Sequence, residues 1–134
     1  MSNANPLECR SQYVPIHQIE HMIMQPPFTV NQLLDLKGRL AGTDVRVSGI
    51  LHYAFEDVAI YHWPKSESRP EYESSIWLET GSGSLRFDDE ACLSMNGKLV
   101  VVEGVLVLPD ERFRGCGHMS LWPAALLART LERV

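Results

Sequence analysis

Two stretches constrain this chain more than any others: DVRVSGILHY (44–53) and KLVVVEGVLVL (98–108). In the first, Val45 and Val47 alternate with Arg46 and Ser48, the period of two that marks a half-buried strand. The second is a longer apolar run of the same kind. Each carries an interior glycine, Gly49 or Gly104, where a missing side chain permits a bulge or sharp coil. Long strands that can coil point to a sheet curled on itself.

The remaining pattern fits around them. VAIYHW (58–63), SSIWLE (74–79) and SLRF (84–87) read as shorter strands. FED (55–57) and SMNG (94–97) read as tight turns, WPKSESRPEYE (63–73) as a polar loop and TGSGS (80–84) as a flexible one. The acidic DDEACLSMNG (88–97) supplies a short helical connection. The expected fold is therefore mainly β: a small OB-like Greek-key barrel with a short helical segment between strands and an N-terminal helix. WPAALLARTLERV at the end stays open between two readings. Its alanines and leucines favour a helix, whereas a barrel of this type needs a closing strand around Leu126 to Leu131.

Upstream, TVNQLLDLKGRLAG begins with Thr29 and Gln32 in the spacing of a capping box and places Val30, Leu33, Leu34 and Leu36 on one helical stretch. Gly38 and Gly42 are expected to end it. In PIHQIEHMIMQPP, Ile16, Ile19, Met22 and Ile23 recur at helical spacing from Pro15 until Pro26-Pro27. Residues 1–14 read as a flexible leader, 15–27 as a helix packing on the barrel and 28–134 as the barrel domain. His17 and His21, four apart on that helix, have no acidic or cysteine partner in register and read as a solvated face.

A chain of 134 residues, 45% hydrophobic and 22% charged, is large enough to bury a core as a single domain. Its 12 basic and 17 acidic residues leave a formal charge of −5, and the basic residues are scattered, so generic nucleic-acid binding is disfavoured. Cys9, Cys92 and Cys116 form no CxxC pair, and three cysteines describe no disulfide framework. No segment approaches the ~20 apolar residues of a membrane span, and the start lacks the pattern of a secretory signal. The expected location is the cytoplasm, away from any membrane.

The order of VRVSGILHYAFEDVAIYH, SIWLE, MNGKLVVVEG and GHMSLW resembles a set of small bacterial OB-fold-like proteins of unknown function. The resemblance covers roughly residues 28–134 and implies the fold, with no activity to carry over. It directs attention to Glu56, Tyr61, Trp77 and His118, and the FRGCGH approach here is longer than in that pattern.

RGCGHMSLWP (114–123) admits three readings. Cys116 and His118 with His52 and His62 from either side of the FED turn would give four zinc ligands, although Cys-x-His is not a common spacing. Cys116 with His118, or Glu56 with His118, would give a thiol or acid/base enzyme, but no third partner is evident. The preferred reading is structural: Gly115 and Gly117 shape a corner, His118 pairs with a partly buried Glu56, and Trp122 caps the barrel end. No cofactor is then expected.

Tyr53, Tyr61, Trp63, Tyr72 and Trp77 fall on the second and third strands and the loop between them. Trp77 reads as core. Tyr61, Trp63 and Tyr72, with Glu67, Glu71 and Glu73, read as a binding patch on a non-enzymatic module for a basic protein partner, in the manner of an inhibitor or immunity-type protein. The alternatives are a single-stranded nucleic-acid binder, requiring Arg39, Arg46, Lys65, Arg69 and Arg86 to converge beside the aromatics, and the metal- or thiol-dependent enzyme.

Overall fold

The computed structural model describes residues 25–80 and 88–134. The body of the leader and N-terminal helix expected over 1–27, with Cys9, His17 and His21, lies outside them, as do Arg86 and the strand expected at 84–87. Gln25 to Pro27, which are described, are not helical.

Phe28–Thr29 forms a two-residue strand, β1, and Thr29 then caps helix α1, Val30–Asp35. Both halves of the capping box are made. Gln32 N–H donates to Thr29 Oγ1 at 3.2 Å and Thr29 N–H to Gln32 Oε1 at 2.9 Å. A second turn, α2 (Lys37–Leu40), follows. Gly38 lies inside it and does not end the helical stretch as expected; the break comes at Ala41 and Gly42.

The strands are β2 (Asp44–Ala54), β3 (Asp57–Tyr61), β4 (Ser75–Glu79), β5 (Leu99–Val107) and β6 (Ala125–Arg133). Helix α3 (Asp89–Met95) connects β4 to β5, where the acidic connection was expected. The final segment is a strand. Residues of β6 pair antiparallel with β5 over most of its length and parallel with β4 through Trp77↔Ala125 to Glu79↔Leu127. The hydrogen-bonded order is β1-β2-β3-β4-β6-β5, and β5 returns to pair with β2. The strands do not lie evenly around one axis, and the described protein is a mainly β structure built on one six-stranded sheet.

Phe55 and Glu56 make the turn between β2 and β3, with Glu56 at φ 65°. This fixes the register Ile50↔Tyr61, His52↔Ala59, Ala54↔Asp57. The two glycines act differently. The β5–β6 ladder shifts register between Glu103 and Gly104, and a side chain at 104 would run into the main chain of Leu127 and Ala128. At Gly49 the ladder with β5 is unbroken, and its need is space: a Cβ would sit 2.5 Å from the Tyr61 carbonyl oxygen.

Alternate residues of β2 and β5 turn inward, giving the core Val45, Val47, Leu51, Val100, Val102 and Leu106. Ile60, Ile76, Leu78 and Leu126 complete it, and Val30, Leu33 and Leu34 bring α1 onto it. Each such side chain contributes about 1.5–3 kcal/mol by leaving water. Among the described residues no helix is long and apolar enough to cross a membrane.

Candidate functional site

The register of the β2–β3 hairpin puts Ile50 and His52 on the same outer face as Tyr61 and Asp57. His52 Nδ1 lies 3.1 Å from an Asp57 carboxylate oxygen and 3.2 Å from the Asp57 carbonyl. The Tyr61 hydroxyl meets both Asp57 carboxylate oxygens at 3.1 Å, and its ring meets the imidazole edge-on at 5.8 Å. Burial and the adjacent Asp57 charge hold the Tyr61 phenol well above its ordinary range, so it remains a donor.

His62 follows β3 by one residue, and the strand period turns it to the opposite face from His52. It is buried, and both ring nitrogens are occupied. Nδ1 accepts from Asn31 N–H at 3.1 Å, satisfying an otherwise orphan donor in the first turn of α1, and Nε2 donates to Glu67 at 3.1 Å. Asn31 also donates to the Glu67 carbonyl at 2.9 Å and accepts from the Ser74 hydroxyl at 2.7 Å. This network ties the loop after β3 to α1 and sets the position of Trp63, whose surface is 51% exposed.

The result is a cleft of about 560 Å³, walled by Ile50, His52, Asp57, Tyr61, Trp63, Lys65 and Glu71, with Gly97 from the turn before β5 and the edge of His62. Glu71 also lines a neighbouring hollow of about 570 Å³ with Tyr72, Glu73, Arg114 and Trp122. Of the six residues expected to bind, Tyr61, Trp63 and Glu71 share the first hollow, while Tyr72, Glu73 and again Glu71 share the second. Glu67 lines neither and is committed to His62. Tyr53 is apart from the patch. Its hydroxyl donates to Asp89 of α3 at 2.6 Å, and that bond is the main reason its acidity is pushed up to about 12. The sequence reading missed His52, Ile50 and Gly97 as cleft walls.

The segment between β5 and β6 folds over the outer face of the sheet. Cys116 and Trp122 exchange main-chain hydrogen bonds of 2.7 and 3.1 Å, closing the corner that RGCGHMSLWP was expected to make. Trp122 is 1% exposed and packs its ring against Trp77 at 4.7 Å, tilted, and edge-on against Tyr72 at 4.8 Å. Among the described residues its buried indole nitrogen has no hydrogen-bond partner. Gly117, at φ 76°, lies flat on the Trp77 ring, where any side chain would collide with it. Trp77 is therefore half-buried beneath this segment and is not part of the inner core.

His118 Nε2 does meet Glu56, at 3.3 Å, but the two side chains are 39% and 48% exposed. The pair is a surface contact and not the partly buried one expected. Replacing His118 with alanine is expected to cost under about 1 kcal/mol in urea denaturation; a loss above about 2 kcal/mol would show a stronger coupling of the two loops.

The groups named in the other readings of this stretch are dispersed. His52, His62 and His118 each serve a different carboxylate, and among the described residues no three His, Cys, Asp or Glu side chains gather as a metal group. The Cys116 thiol is pushed up by burial and then by Glu79, with Lys37 offsetting part of this. That is the opposite of what a nucleophilic thiolate needs. Among the described basic residues, Arg46 pairs with Glu103 at 3.2 Å and Arg69 with Asp35 at 2.9 Å, Arg39 lies on α2, and Lys65 alone lines the cleft. No protein-family model matches the sequence, and no curated protein matches it.

Proposed function

We propose that the protein is a non-enzymatic binding module of OB-like architecture that engages a basic protein partner, in the manner of an inhibitor or immunity-type protein. The architecture is supported by the return of β5 to β2, the parallel β4–β6 pairing and the helix between β4 and β5. The binding reading rests on one observation. Two adjacent hollows join at Glu71 and present Trp63, Tyr61 and Tyr72 beside acidic side chains. The half-exposed Trp63 and the partly covered tyrosines supply contact area at low entropic cost, and the surrounding acids favour a cationic partner.

The test is surface binding of the full chain to a panel of small basic proteins, nucleases among them, with a single-stranded oligonucleotide as the second arm. A salt-sensitive complex with a basic protein is expected, weakened about thirtyfold or more by Trp63→Ala combined with Glu71→Lys. Binding confined to the oligonucleotide would replace this reading with the nucleic-acid one.

A further inference from the structure

His52 faces two acceptors from one ring nitrogen. The carboxylate and the carbonyl of Asp57 both approach Nδ1, at 3.1 and 3.2 Å. Neither can donate, so Nδ1 carries a proton, and in the neutral ring Nε2 is then an acceptor. Among the described residues nothing bonds that nitrogen. The Asp57 contacts and the Tyr61 ring edge set the orientation of the imidazole.

The cleft is thus rich in acceptors and flat on one wall. His52, the exposed Glu71 and the Asp57 carboxylate, which already accepts from Tyr61 and His52, line it, and the indole of Trp63 is half-open to solvent. Lys65 is the one Lys or Arg among the lining residues, so the charge of the lining side chains, with uncharged histidines, is negative by one: two carboxylates against one ammonium.

Resting on the basic-partner reading, we infer that this cleft receives the guanidinium of an arginine on the partner. A guanidinium is planar, carries five N–H donors in a fixed fork, stacks on aromatic faces and sheds water more easily than an ammonium. It can lie against Trp63 while donating to several acceptors at once. A lysine can satisfy the charge but not the flat wall. Lys65 opposes the bound cation and lowers the affinity.

The experiment titrates acetyl-Gly-Arg-Gly-amide into the full chain, with the lysine and citrulline counterparts, following the Trp63 indole and the His52 ring nitrogens by NMR. The arginine peptide is expected to bind with shifts at both, the lysine peptide about fivefold more weakly, and the uncharged citrulline peptide more weakly still. His52→Phe and Trp63→Ala each lower arginine-peptide affinity about fivefold, and Lys65→Gln raises it. Equal affinity for arginine and lysine, or arginine binding indifferent to His52→Phe, overturns the guanidinium assignment. No binding of the arginine peptide overturns it too. If a basic protein is still bound through Trp63 and Glu71, the partner reading survives that loss; if none is bound, both fall.

Discussion

Trp122→Ala is expected to lower stability by about 3–5 kcal/mol, the range for truncating a fully buried large aromatic. The indole is 1% exposed and lies between Trp77 and Tyr72, so its removal leaves a void that the neighbouring rings cannot easily refill. The corner beneath it is held by main-chain bonds between Cys116 and Trp122, which alanine can still make. The loss is therefore one of packing. Thermal melting should fall by more than about 10 °C, and Trp77 emission should move to the red as water reaches it. Trp122→Phe, which keeps a ring and loses the unpartnered N–H, should recover much of the loss. A cost below about 1 kcal/mol for alanine would mean that the segment between β5 and β6 opens independently of the sheet.

Gly104→Val is the second large effect, at about 3 kcal/mol or more. The atoms that a side chain would strike are main-chain atoms of Leu127 and Ala128, which cannot rotate away as a side-chain tip could. They belong to β6, so relief requires separating the two strands at the register shift. Gly38→Ala is the matched control. Gly38 lies in α2, where among the described residues nothing comes within 4 Å of the place a methyl would take, and alanine there should stabilise by about 0.5–1 kcal/mol. Urea denaturation of both variants makes the comparison; a Gly104→Val protein as stable as the parent would show that β5 and β6 part there at little cost.

The strands that alternate were the ones legible in the sequence. Val45 and Val47 against Arg46 and Ser48 mark both the element and its buried face, and the observed burial alternates accordingly. The capping box at Thr29 and Gln32 was legible for the same reason: its signal is local. The final strand was not. Residues such as Leu126, Leu127, Ala128 and Arg129 have helical propensity, and their extended form comes from pairing with β5 and β4, distant in sequence. β1 was missed because two residues are too few to show a period.

The candidate site was legible by composition more than by geometry. Trp63, Tyr61 and Glu71 stand out as aromatics and acids near a polar loop, and they do share a cleft. The metal alternative needed His52 and His62 to face one another across the hairpin, and the register decides that. A two-residue turn at Phe55 and Glu56 sets Ile50 opposite Tyr61, and counting from there puts His52 and His62 on opposite faces. That parity was available from the sequence. The occupation of both His62 nitrogens by Asn31 and Glu67 was not, since it depends on how α1 docks.

β1 is small enough to pass for an accident of the chain's approach to α1, yet it lies where the sheet would otherwise be open. β3 pairs with β2 over Ile50 to Ala54, and β1 takes up Val47 and Ser48 on the stretch before it, while β5 pairs along Asp44 to Ile50. A chain shortened past Thr29 would lose the helix cap and also bare that length of strand, whose free amides and carbonyls can recruit a strand from another molecule. Phe28 and Thr29 thus act as a guard against self-association, and the first sign of their loss would be turbidity at high concentration.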